Sequence, residues 1–200
     1  MKRLVELFSI SPPGSREFLL LPVVLVISYM AFLHIGAELA ALSLSPFVLS
    51  VVLTQAVGAI WLGQLRLRRC HDASRTPQVF SIVTLVGLAF LLAAQDPVWC
   101  QRFVSLVIAV RAAYLARALY RGETDLSDHG GPRSAPASFT RHWGQWKLYA
   151  FLALFAVNEL AIAFASLTEW IIISAFAPMI AYCVLQWSMV ALWDGGADAR

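Results

Sequence analysis

The sequence predicts an all-α, polytopic membrane protein of six transmembrane helices with both termini cytoplasmic, and three observations carry that expectation. Hydrophobic residues make up 60% of the 200-residue chain and charged residues only 14%, for a mean hydropathy of +0.71; soluble domains carry roughly 25% charged residues. The apolar residues fall in long uninterrupted runs, not in the spaced stripes of amphipathic helices. The basic residues gather in alternate connections between those runs.

Crossing ~30 Å of hydrocarbon takes about 20 apolar residues in a helix. Six runs meet or approach that length: Phe18 to Leu42, Phe47 to Leu65, Gln78 to Ala94, Val98 to Tyr120, Trp146 to Ser166 and Glu169 to Trp193. Each is expected to be helical, because an isolated strand leaves its backbone unsatisfied in lipid and no run alternates with period two. The first run is too long for the core of a cleavable signal and reads as a permanent helix. The fourth contains Arg102 and Arg111, yet Asp96 and Pro97 supply an N-cap and a first-turn proline. Ser166-Leu167-Thr168-Glu169 is a capping box that opens the sixth. Pro178 lies inside that helix and is expected to kink it.

The connections Leu42 to Pro46, Gln95 to Pro97 and Leu167 to Thr168 are short and carry a single charge, Asp96. Of the 15 Lys and Arg residues, all but Arg102 and Arg111 fall on the opposite side, which the positive-inside rule makes cytoplasmic. Residues 121–145 contain Gly122, Gly130, Gly131, Pro132 and Pro136 among mixed charges, the composition of a flexible linker. It divides the chain into a four-helix unit, 1–120, and a two-helix hairpin, 146–193, followed by a cytoplasmic tail, 194–200. The basic residues flank apolar runs with no stacking aromatics between them, which excludes nucleic acid as the expected partner. Cys70, Cys100 and Cys183 lack metal-ligand spacing and read as unpaired. No metal or cofactor is expected.

The loop after the second run reads Arg68-Arg69-Cys70-His71-Asp72-Ala73-Ser74-Arg75, and the N-terminus contains Phe8-Ser9 and Gly14-Ser15-Arg16-Glu17-Phe18. Both resemble segments of the small bacterial membrane family called domain of unknown function 805, the first its Arg-Arg-Leu-His-Asp-x-x-Arg motif and the second its entry into the first helix. Asp128-His129-Gly130-Gly131-Pro132 is a weaker echo of the family's segment after its fourth helix. The resemblance covers residues 1–133 and rests on Arg16, Arg69, His71 and Asp72. It implies a four-helix bundle in the bacterial inner membrane with both ends inside. The chain departs from the pattern at Cys70, Thr76, Pro77 and Leu19.

Ionisable groups within crossings are costly and mark candidate sites. His34 and Glu38 share a face of the first helix, and Arg102 starts the fourth at the same outer level, so a Glu38–Arg102 pair is expected. Arg111 lies about 13 Å deeper along the same helix. Asn158 and Glu159 lie inside the fifth crossing and Gln186 inside the sixth; each either bonds a neighbouring helix or lines a polar path. Arg66, Arg68, Arg69 and Arg75 are placed to contact the phosphates of anionic lipid headgroups. Small residues four apart, Gly36 and Ala40, Ala59 and Gly63, Ala112 and Ala116, suit close helix approach.

Catalytic motifs are missing: there is no HExxH, no GxSxG and no phosphate-binding glycine loop. The expected function is therefore non-enzymatic, an assembly, anchoring or accessory subunit that binds another membrane protein or itself. The alternative is a small transporter or channel in which the intramembrane polar residues line a proton, ion or polar-substrate path.

Overall fold

The computed structural model describes residues 17–67, 76–122 and 137–197, with side chains described for 19–60, 83–122 and 141–188. Within these residues the chain is helical apart from short turns, with no strand. The helices are α1 (Glu17–His34), α2 (Gly36–Ala41), α3 (Pro46–Leu67), α4 (Thr76–Ala94), α5 (Pro97–Tyr120), α6 (Ala137–Phe164) and α7 (Leu167–Ala197).

Among the described residues, three helices are long and apolar enough to cross a membrane: Pro97–Tyr120, Arg141–Phe164 and Leu167–Ser188. The expectation of six is corrected to that extent, since Leu19–His34, Pro46–Ile60 and Val83–Ala94 are apolar but shorter. For the first, the reason is local. The predicted run from Phe18 to Leu42 divides at Ile35, whose φ of −99° and ψ of 20° leave the helix. Its carbonyl accepts from both Glu38 and Leu39, and the six-residue α2 follows. Gly36, just after the break, is a weak helix former. In α3 and α4 the backbone helices run 22 and 19 residues, and the described side chains cover only part of each.

The predicted caps are present. The Asp96 carboxylate accepts from Val98 N–H at 2.8 Å, with Pro97 in the first turn of α5. At α7 the Glu169 carboxylate accepts from the Ser166 N–H and hydroxyl, each at 2.7 Å, and the Ser166 hydroxyl accepts from Glu169 N–H at 3.4 Å. One boundary moves. Helix α6 begins at Ala137, within the stretch read as linker, because Trp143 and Lys147 are buried, and Trp143 packs in a core with Ala112 and Leu115 of α5 and Tyr182 and Leu185 of α7.

Packing runs across the linker. Helix α1 lies against α3 and α7, α5 against α6, α6 against α7, and α4 against α3, while α5 touches α3 and α4 only lightly. On the side of α4 facing α5, a Cβ at Gly87 would stand 2.5 Å from the Phe103 ring, so any side chain there would have to displace that ring. At Gly58 of α3 a Cβ would stand 3.2 Å from Leu21 of α1, beside the predicted Ala59.

The three short connections gather at one end of the bundle. Ser45 N–H donates to the Gln95 side-chain oxygen at 2.8 Å, tying the turn before α3 to the turn before α5. The Tyr29 and Thr168 hydroxyls share a bond of 3.4 Å. Near this end lies a core of Phe47, Val48, Leu91, Cys100 and Trp170, with the Phe47 and Trp170 rings 5.4 Å apart. The core around Trp143, Tyr182 and Leu115 lies toward the other end. Cys100 and Cys183 are free thiols, and Cys70 lies outside the described residues.

Candidate functional site

Helices α5 and α6 run antiparallel, so the first turns of one meet the last turns of the other. There Arg102 forms an ion pair with Glu159, and Ser105, one turn on, donates its hydroxyl to the same carboxylate. Asn158, the neighbour of Glu159, donates its amide to the Ser105 hydroxyl at 2.7 Å and to the Gln101 carbonyl at 3.4 Å. Gln101, Ser105 and Asn158 are buried, whereas the Arg102 and Glu159 side chains are 53% and 30% exposed. The seam is thus packed on its inner side and open on its outer side.

A few residues deeper is a cavity of about 130 Å³, bounded by α1, α3, α5, α6 and α7. A water needs roughly 10 to 15 Å³ on this scale, so several waters or one small organic molecule fit. Its walls are mostly apolar, among them Leu25, Val51, Ile108 and Phe151. The polar exceptions are Thr54 and Gln55 of α3, Arg111 of α5, Asn158 of α6, and Trp170 and Ser174 of α7. Thr54 spends its hydroxyl proton on the Ser50 carbonyl of its own helix, at 2.8 Å. The Trp170 ring is 1% exposed, and its indole N–H has no hydrogen-bond partner among the described residues.

Two prolines face this cavity, Pro22 of α1 and Pro178 of α7, each inside a helix that continues through it. Proline has no N–H to give the carbonyl four residues back. For Pro178 that carbonyl belongs to Ser174, another cavity residue.

The structure brings together Arg102, Asn158 and Glu159 of the predicted site, and places Arg111 with Asn158 around the cavity. The expected Glu38–Arg102 pair is replaced by Arg102–Glu159. Helix α5 packs on α6, whereas α1 packs on α3 and α7, so equal depth does not make Glu38 a neighbour of Arg102. His34 and Glu38 are exposed, to either side of the break at Ile35, and Glu38 has no ion-pair partner among the described residues. Gln186 is buried in α7. Arg16, Arg68, Arg69, His71, Asp72 and Arg75 lie outside the described residues, as does the side chain of Arg66.

Sequence reasoning missed Gln101, Ser105, Gln55, Ser174 and Trp170, because single polar residues of this kind are common in apolar helices and carry no spacing signal. It also missed the depth of Lys147, counted as a cytoplasmic-side charge. That side chain is 5% exposed, with its ammonium 5.9 Å from the centre of the Phe151 ring, a cation–π distance. Among the described residues, no group of three His, Cys, Asp or Glu side chains is placed to hold a metal ion.

No family model matches the chain, and neither does any curated protein or solved structure. The likeness of residues 1–133 to the domain of unknown function 805 family therefore rests on the motif residues alone.

Proposed function

We propose that the chain is a multi-pass protein of the bacterial inner membrane with both termini in the cytoplasm, and that it holds a small polar solute among its helices as a transporter or channel does. The carrying observation is the cavity: five helices leave a partly open space between them, and residues from four of them put polar groups on walls otherwise apolar. Few polar residues placed by converging helices in an apolar cleft are the mark of a small-molecule site. The three short connections gather at one end. The positive-inside rule makes that end the outer one, and puts Arg66, Arg68, Arg69 and Arg75 against anionic headgroups.

Stopped-flow swelling of liposomes containing the purified full-length protein tests the reading, with glycerol, urea, acetate and methylammonium as solutes. At least one class is expected to cross faster than in protein-free liposomes, and Ser174→Leu, which fills the cavity from α7, should abolish the increment. Entry of every class at the protein-free rate would overturn the reading.

A second reading, the assembly or accessory subunit, is favoured by a separate feature. The α6–α7 face bears an apolar groove of about 570 Å³ floored by Ala150, Ala153, Ala177 and Ala181, a surface that lets another membrane helix or a second copy approach closely.

A further inference from the structure

We propose that the open side of the Arg102–Glu159 pair binds the headgroup of a phosphoethanolamine lipid, its phosphate on Arg102 and its primary ammonium on Glu159; this rests on the proposed membrane placement and not on the cavity. The first observation is where the pair lies. Trp99, Arg102, Leu106 and Val110 follow one another along α5 at spacings of three and four, so they share a face, and all four are exposed. On α6, Leu152 and Leu160, two turns before Glu159 and next to it, are exposed as well. In a bilayer this apolar surface meets lipid, and the two charges set in it do too.

The second observation is depth. Arg102 comes five residues after the start of α5 and Glu159 five before the end of α6, about 7.5 Å along each axis from the same end of the bundle. A headgroup layer is about 5 to 8 Å thick beside ~30 Å of hydrocarbon, which brings lipid phosphates within reach of a snorkelling arginine at that level. Trp99, one turn nearer the end and edge-on to Phe90 with ring centres 6.1 Å apart, has the placing of an interfacial aromatic.

Charge complementarity selects the headgroup. Arg102 gives one guanidinium nitrogen to Glu159, and a guanidinium has five N–H donors in all. The Glu159 carboxylate accepts one bond at each oxygen, from Arg102 and from Ser105, and has about four lone-pair sites. Donors and acceptors thus remain side by side on the exposed half of a pair whose net charge is zero. A phosphate separated from an ammonium by two carbons presents the matching order of charges. Phosphoglycerol would set its negative charge beside the Glu159 carboxylate with no cation to offset it, and a quaternary choline has no N–H to donate.

Site-specific photocrosslinking of the full-length protein in nanodiscs tests this, with phosphatidylethanolamine and phosphatidylcholine of identical tails mixed in equal amounts. Both lipids are zwitterions, so basic residues elsewhere on the chain attract them alike. The photoreactive p-benzoylphenylalanine replaces Leu106, one turn from Arg102, in one variant; in another it replaces Ile172, exposed five residues after the start of α7, at the same depth away from the seam. The Leu106 probe is expected to capture the ethanolamine lipid about 3- to 10-fold over the choline lipid, the range of a charge-assisted hydrogen bond weakened by exposure. The Ile172 probe should capture the two alike. Glu159→Gln keeps an oxygen for Ser105 but removes the charge, and should bring the Leu106 ratio to about one. N-monomethyl and N,N-dimethyl derivatives of the ethanolamine lipid should fall between the two parents with Glu159 in place, so the test stands even if Glu159→Gln does not fold. A ratio at Leu106 no higher than at Ile172, or a preference that survives Glu159→Gln in folded protein, overturns the proposal. Capture of no lipid by either probe overturns the membrane placement as well.

Discussion

The seam between α5 and α6 and the cavity below it use the same kinds of residue to opposite ends. At the seam each polar side chain meets another: Arg102 and Ser105 meet Glu159, and Asn158 meets Ser105. Around the cavity the polar residues come from α3, α5, α6 and α7, and the Trp170 indole N–H has no hydrogen-bond partner among the described residues. In an apolar solvent a polar group needs a partner from another helix, from water or from a ligand. Pairing between adjacent helices is structure; groups converging on a space are an invitation to a third component.

The largest effect that would sharpen this contrast is at the ion pair. Arg102→Met leaves the Glu159 carboxylate with only Ser105, and a loss of about 2 kcal/mol is expected in unfolding measured in bicelles. The figure is below that of a fully buried pair because both side chains are partly exposed. The double variant Arg102→Met/Glu159→Met should regain most of the loss. If the two single losses simply add, the seam is not a coupled unit.

Asn158 belongs to both regions, so its removal gives an intermediate effect. Asn158→Leu breaks two interhelical bonds to α5 and should cost about 1 to 2 kcal/mol in the same assay. A cost near zero would mean that the cavity side of Asn158, and not the seam side, is what holds it.

The smallest expected change is at Trp170. Trp170→Phe keeps a ring against Phe47 while deleting the unpartnered donor, so the loss of contact and the removal of an orphan group should nearly cancel, within about 0.5 kcal/mol. A loss well above 1 kcal/mol would show that the indole N–H bonds water or a solute in the membrane.

Much of the helical layout was legible in the sequence. The start of α5 was written in Asp96 and Pro97, and that of α7 in Ser166 and Glu169, since caps depend on residues a few positions apart. The break at Ile35 was not read, because an apolar run signals burial in lipid without reporting where its backbone bends. The early start of α6 was hidden by glycine and proline upstream, and came from the burial of Trp143 and Lys147.

By itself the sequence determined that the chain is helical and apolar, where two of its helices are capped, and how deep Arg102, Arg111 and Glu159 lie along their axes. Tertiary structure alone decided which of them meet. Position in the sequence fixes height along a helix, but a helix apolar on all sides marks no face, so its rotation and its neighbours are set by packing. Arg102 therefore found Glu159 and not Glu38. Arg111, equally deep in either account, came to line a cavity that five helices create and none of them encodes.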